Sequence, residues 1–142
     1  MKITSRFTVA VHTLLTIYYF GEKNKVTSDF IAQSVCVNPV VIRRTLLSLK
    51  AAGMVEVKAG SGGASIVKDL QDITLYDVYR GVDRVEGDLS HSHENPNPAC
   101  PVGRNIHAVL DSHLSDAQAA MENELKKVTL ADLTRQLNQN IV

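Results

Sequence analysis

Apolar residues recur along this chain in two rhythms: a three-and-four spacing that marks helices and a strict alternation that marks strands. The first rhythm opens at once. Over residues 4–20, Phe7, Val11, Leu14, Leu15 and Tyr18 share one helical face, Thr4 or Ser5 can cap it, and Gly21 ends it. After a charged turn at 22–26, a second helix is predicted over about 28–36. Thr27 or Ser28 caps it, Asp29 complements the dipole in its first turn, and Phe30, Ile31 and Val35 form its buried side. Cys36-Val37-Asn38-Pro39 then breaks the pattern and restarts it. Asn38 is a good N-cap, and Pro39 fits the first helical position, where its missing N–H is no loss. The third helix runs to about Ala52, with Gly53 as its stop. Ile42, Leu46 and Leu49 make its inward stripe, which leaves Val40, Arg43, Arg44 and Lys50 outside.

The second rhythm follows. MVEVK (54–58) and ASIVK (64–68) alternate around AGSGG (59–63), which predicts a β-hairpin directly after the third helix. Two short helices joined by a tight turn and followed by a hairpin give the order of a winged helix-turn-helix. Asp72 or Thr74 opens a short helix to about Gly81 that buries Leu75 and Val78. Residues 82–101 carry turn formers and few apolar residues and read as a linker or sensor loop. A long helix is expected over about 102–127, with Ile106, Val109, Leu110, His113, Leu114, Ala117, Ala120, Met121, Leu125 and Val128 along one stripe. A short helix at 129–137, capped by Thr129, closes the chain, and no internal repeat is expected. The fold class is therefore mainly α with a small β-hairpin wing: a DNA-binding-type domain at 1–81, a loop at 82–101, and a dimerisation helix with a short C-terminal helix at 102–142. So long a stripe has little to cover in a chain of this size, and the same helix of a second subunit is the economical partner.

Composition sharpens this picture in one respect. The formal net charge is zero, yet residues 1–68 carry nine Lys/Arg against three acids, a net +6, and residues 69–142 carry six against twelve, a net −6. A polyanion is the expected partner of the first half. At 44% hydrophobic residues the chain can form a packed interior. No apolar run approaches the roughly 20 residues of a membrane span. The apolar N-terminal stretch is interrupted by His12, Thr13 and Thr16 and lacks a small-residue cleavage site, so a folded helix and a cytoplasmic location are expected. Two distant cysteines are read as reduced thiols.

Among chemistry-bearing residues, the guanidinium of Arg43 or Arg44 can fork onto a guanine edge while its neighbour takes a phosphate, since adjacent residues point about 100° apart on a helix. A solvated face is the plain alternative. Lys2, Arg6, Lys58 and Lys68 can serve phosphates or be ordinary surface cations. His91, His93, Glu94, His107 and His113 match no standard metal spacing, and Cys36 reads as a core or turn residue. There is no P-loop, dinucleotide fingerprint or nucleophile elbow, and GSGG lies between strands rather than before a helix; no enzyme activity is expected.

The order TSRFTVAVHTL, NPVVIRRTLLSLKAAGMVEVKAGSGGASIVKD, ITLYDVYRGV, NPNPACPVG, long helix, TLADL resembles the Rrf-two (Rrf2) family of bacterial repressors over nearly the whole chain. NPVVIRR and NPNPACPVG are most similar to its YwnA-like branch. The resemblance implies a winged helix, a long dimerisation helix and a homodimer on two-fold operator DNA. By position it places DNA contacts on Asn38, Val40, Val41, Arg43 and Arg44. It places the start of the first helix, Thr4, Ser5 and Arg6, against the DNA backbone, and the wing at Lys58, Ala59, Gly60, Ser61, Gly62 and Gly63. Lys58 stands where the family has Arg and Gly60 where it has Pro, so the wing keeps a phosphate contact without the family's minor-groove Arg. Cys100 matches the last of three cluster-binding cysteines, with Asp88 and Glu94 near the places of the other two. One thiolate does not hold such a cluster, so no cofactor is expected. Cys100 remains a candidate redox sensor or a small packed side chain.

The expected function is a sequence-specific DNA-binding transcriptional regulator, a homodimeric repressor, responsive through the loop around Cys100 to redox state, a small effector or a partner protein. The alternative is a winged-helix interaction adaptor that does not touch DNA.

Overall fold

The computed structural model describes residues 3–60, 62–83 and 93–141. Its elements run α1 (Ser5–Phe20), α2 (Ser28–Val35), α3 (Pro39–Ala51), β1 (Val55–Lys58), β2 (Gly63–Ile66), a single 3-10 turn (Leu70–Asp72), α4 (Leu75–Val82), α5 (Pro101–Lys126) and α6 (Leu130–Ile141).

The core sits where α1, α2, α3, α4 and the hairpin meet. Ile42, Leu46 and Leu49 of α3 are buried in it as expected, with Ile31, Met54, Val55, Ile73, Val78 and Tyr79 around them. α1 departs from the expected face. Its core side is Phe7, Ala10, Leu14 and Ile17, while Val11 and Leu15 lie only part-buried. The helix is apolar almost all round, so periodicity alone did not fix which side faces in. With Tyr19, Val11 and Leu15 line a groove of about 630 Å³, closed on its far side by Leu137 and Ile141 of α6.

The ends of the helices are chemically specified. Thr27 Oγ1 accepts from the Phe30 N–H, and Asn38 Oδ1 accepts from the Val40 N–H with Pro39 next to it. α2 stops at Cys36, whose backbone is left-handed (φ 62°) and whose N–H reaches the Ala32 carbonyl at 2.8 Å. Cys36 is exposed, so it is a turn residue rather than a core one. α3 ends in a Schellman motif: Gly53 (φ 77°) gives its N–H to Lys50 O at 2.9 Å, and Met54 gives its own to Leu49 O at 3.0 Å.

β1 and β2 pair antiparallel from Val55↔Ile66 to Lys58↔Gly63. Gly63 is buried at φ 80°, and a Cβ there would lie 2.8 Å from the Val26 backbone nitrogen. The neighbouring Ala64 N–H bonds to the Val26 carbonyl at 2.8 Å, which ties the base of the wing to the α1–α2 connection.

A short internal repeat is present, contrary to the sequence expectation. Residues 73–82 (ITLYDVYRGV) and 128–137 (VTLADLTRQL) share a Thr-Leu-x-Asp opening. Each Thr and Asp forms a capping box: Thr74 with Asp77, and Thr129 with Asp132. The two openings also clasp one another. The Leu75 N–H bonds to Val128 O at 2.9 Å, and the Leu130 N–H bonds to Ile73 O at 2.7 Å. This clasp returns the far end of α5 to α4, where Lys126 Nζ stands 4.6 Å from the Tyr76 ring centre. No helix among the described residues is long and apolar enough to cross a membrane.

Candidate nucleic-acid interface

The site is built on α3. Because Ile42, Leu46 and Leu49 fix its inner side in the core, the residues opposite must face outward. Asn38, Val40, Val41, Arg43 and Arg44 are all exposed. Arg43 and Arg44 make no hydrogen bond or ion pair among the described residues. The ion pairs found there, His107–Asp111, Lys127–Glu124 and Arg135–Asp132, all lie in the acidic half. Among the described residues, the basic half therefore presents cations that no carboxylate neutralises. The Schellman turn at Gly53 leads α3 straight into the wing, whose outer end carries exposed Lys58 and, part-buried, Gly62.

The other positions divide. Ser5 and Arg6 are exposed at the start of α1, and Lys68 is exposed beyond β2. Thr4 is the N-cap of α1 by position but does not cap it. Its hydroxyl donates instead to Asp83 Oδ1 at 2.8 Å, so it braces α1 against the end of α4 rather than offering itself to a duplex. Asp83 is buried, and its Oδ2 has no partner among the described residues. Gly63 is likewise a correction: its burial against Val26 makes it the root of the wing, not part of its tip. Lys2, Ser61, Asp88 and His91 lie outside the described residues. Sequence reasoning also missed Leu47, which is 67% exposed on the arginine side of α3. A helical wheel would have found it, because it falls opposite Leu49 and Ile42.

Cys100 is half-exposed at the N-cap of α5. The first-turn N–H of Gly103, and after it that of Val102, are directed at its sulfur and pull the thiol below its ordinary value. Neither makes a full side-chain cap. His93 and His107 bring their rings to 5.8 Å, with Glu94 and His113 exposed nearby in sequence. No group of three His, Cys, Asp or Glu side chains among the described residues could hold a metal ion.

The family model described as "Rrf2: Iron-dependent Transcriptional regulator" matches residues 3–136. YwnA of Bacillus subtilis strain 168, provisionally named an HTH-type transcriptional regulator, is 46% identical over 135 residues, covering 95% of this chain and 98% of its own. A crystal structure described provisionally as a DNA-binding protein is 41% identical, covers 90% of this chain and 97% of its own, and superposes with a TM-score of 0.70. IscR of T. potens covers 100% of this chain and 92% of its own with a TM-score of 0.72; at 19% identity it speaks to the fold alone. Two thiols fall short of the cysteine set that ordinarily holds an iron–sulfur cluster. The chain has two cysteines in all, one in the exposed turn after α2 and one at the N-cap position of α5, where a cluster ordinarily takes four protein ligands. With its winged helix-turn-helix, long helix and nearly full-length match, the chain belongs to the Rrf2 family of transcriptional regulators.

Proposed function

We propose that this protein is a cytoplasmic repressor that binds two-fold operator DNA as a homodimer, without an iron–sulfur cluster. The observation that carries the reading is the pair of exposed, unpaired guanidinium groups of Arg43 and Arg44 on the face of α3 directly away from its core stripe. One guanidinium reads a guanine edge and the other a phosphate; Asn38, Val40 and Val41 approach the same groove, and Ser5, Arg6, Lys58 and Gly62 take backbone phosphates. α5 pairs with its copy and sets two α3 helices about 34–36 Å apart, one turn of duplex. The dimer then occludes the promoter it covers.

The test is selection of bound fragments from genomic DNA followed by a mobility shift at several salt concentrations. A linear fall of log affinity with log salt is expected, because Lys and Arg displace condensed counterions. Arg43→Glu should abolish specific binding while leaving the thermal midpoint unchanged, since the side chain is exposed. Retained specific binding by that variant refutes the assignment, and absence of any bound fragment favours the protein-adaptor reading.

Cys100 is the candidate switch within this reading, supported by the N–H groups of Gly103 and Val102 that favour its thiolate. Oxidant should release wild-type protein from DNA and leave Cys100→Ser bound; release of both variants removes the thiol from the mechanism. A small effector or a protein partner would then be the signal.

A further inference from the structure

The outer face of α3 carries more apolar surface than a scaffold for two arginines requires. Val40 is 40% exposed and Leu47 67%. At about 100° per residue these two lie about 20° apart around the helix axis, and Arg43 and Arg44 flank their line on either side. The opposite side is the buried stripe of Ile42, Leu46 and Leu49, so the line faces straight away from the core. A single exposed leucine needs no explanation. A valine and a leucine in one file between two unpaired guanidinium groups make a composite surface, cationic at its edges and apolar along its centre.

The charge names the occupant. Unneutralised cations on a half-chain of net +6 call for a polyanion. Among polyanions, duplex DNA also presents apolar groups beside its acceptor edges: the thymine 5-methyl groups in the major groove. We propose that Val40 and Leu47 read thymine methyl groups, so that each operator half-site places A·T pairs beside the guanine taken by an arginine. This rests on the DNA-binding reading above and adds to it a class of sequence and a specificity residue, Leu47.

The experiment uses the full-length protein and the tightest duplex it selects from a random-sequence pool. Each thymine is replaced in turn by deoxyuridine, which lacks only the 5-methyl group. At one or more positions per half-site the replacement should weaken binding about fourfold, the value of one buried methyl-sized group. Leu47→Ala should bind the thymine and uracil duplexes equally at the position Leu47 reads, and Val40→Ala at the other. Both substitutions are at exposed sites, and unchanged melting curves identify folded variants. Three outcomes overturn the proposal while leaving DNA binding intact: a selected duplex indifferent to uracil everywhere, a uracil penalty unchanged in both variants, or loss of self-association by Leu47→Ala with no uracil effect. Failure to select any duplex overturns the DNA-binding reading and this one with it.

Discussion

α3 and α5 both show branched apolar side chains to solvent, for opposite reasons. α3 has 13 residues and is held by Ile42, Thr45, Leu46 and Leu49, all buried. Whatever it turns outward is held in place by that anchor. α5 has 26 residues, spans about 39 Å, and has no fully buried side chain, although Leu125 near its far end packs against the core. Val102, Val109 and Leu110 are exposed along it, and Ile106, Leu114, Met121 and Leu125 are only half-covered. Exposure on an anchored helix points to a ligand. Exposure along a helix that its own chain holds only at the far end, through the clasp to α4, leaves a face for the proposed second copy to cover, because a helix this long draws its stability from tertiary packing more than from propensity.

The largest expected effect breaks the α5 side of that contrast. Leu110→Glu places a charge in the middle of the stripe, where pairing with a second copy would bury it without a partner. The protein should sediment as a monomer. Operator affinity should fall about 100-fold or more, because two half-sites are no longer gripped together. A variant that remains dimeric at micromolar concentration places the seam elsewhere.

Within α3 the contrast is sharpened by two leucines two residues apart. Leu49 is fully buried, and Leu49→Ala should cost about 2–5 kcal/mol through lost transfer energy and the cavity left behind. Leu47 is mostly exposed, and Leu47→Ala should change stability by less than about 0.5 kcal/mol. Urea unfolding of the two variants checks this. Comparable losses would mean that α3 is not seated as described, and the outward placement of its arginines would fall with it.

Much of this architecture was legible in the sequence because its signals were redundant. Asn38-Pro39, the inward stripe of α3 and Gly53 each mark the recognition-helix candidate independently, and the hairpin follows without a gap. α1 was legible as a helix but not in its facing, since Val11 and Leu15 carry as much apolar character as Ala10 and Ile17. Thr4 read as a cap because residue type says only that a hydroxyl is present. That it turns to Asp83, 79 residues away, is a fact of tertiary structure. Gly63 looked like its neighbours at the tip; only the approach of Val26 makes it the root. The repeat at 73 and 128 was too short, and its copies too far apart, to show as a period. It becomes visible through the two hydrogen bonds that join its copies.

The smallest predicted effect concerns that repeat. Asp132 caps α6, and its carboxyl is held below the ordinary value of 3.8, chiefly by the N–H of Thr129 and then by Arg135. A carboxylate whose folded pKa is depressed contributes stability that is fully present above the unfolded value and is lost as pH falls through the folded one. Acid should therefore loosen the start of α6 before it disturbs α3, whose cap at Asn38 does not titrate. The group is half-exposed and solvent-screened, so the effect is local rather than global. Amide exchange at Leu130 and Leu133 should quicken as pH drops below 3.8 relative to exchange at Leu46 and Leu49, after correction for intrinsic rates. In Asp132→Asn the pH dependence should disappear. A wild-type ratio that stays flat across that range would mean the clasp is held by its backbone bonds to Ile73 and Val128 alone, with the capping carboxylate contributing nothing to the seating of α5.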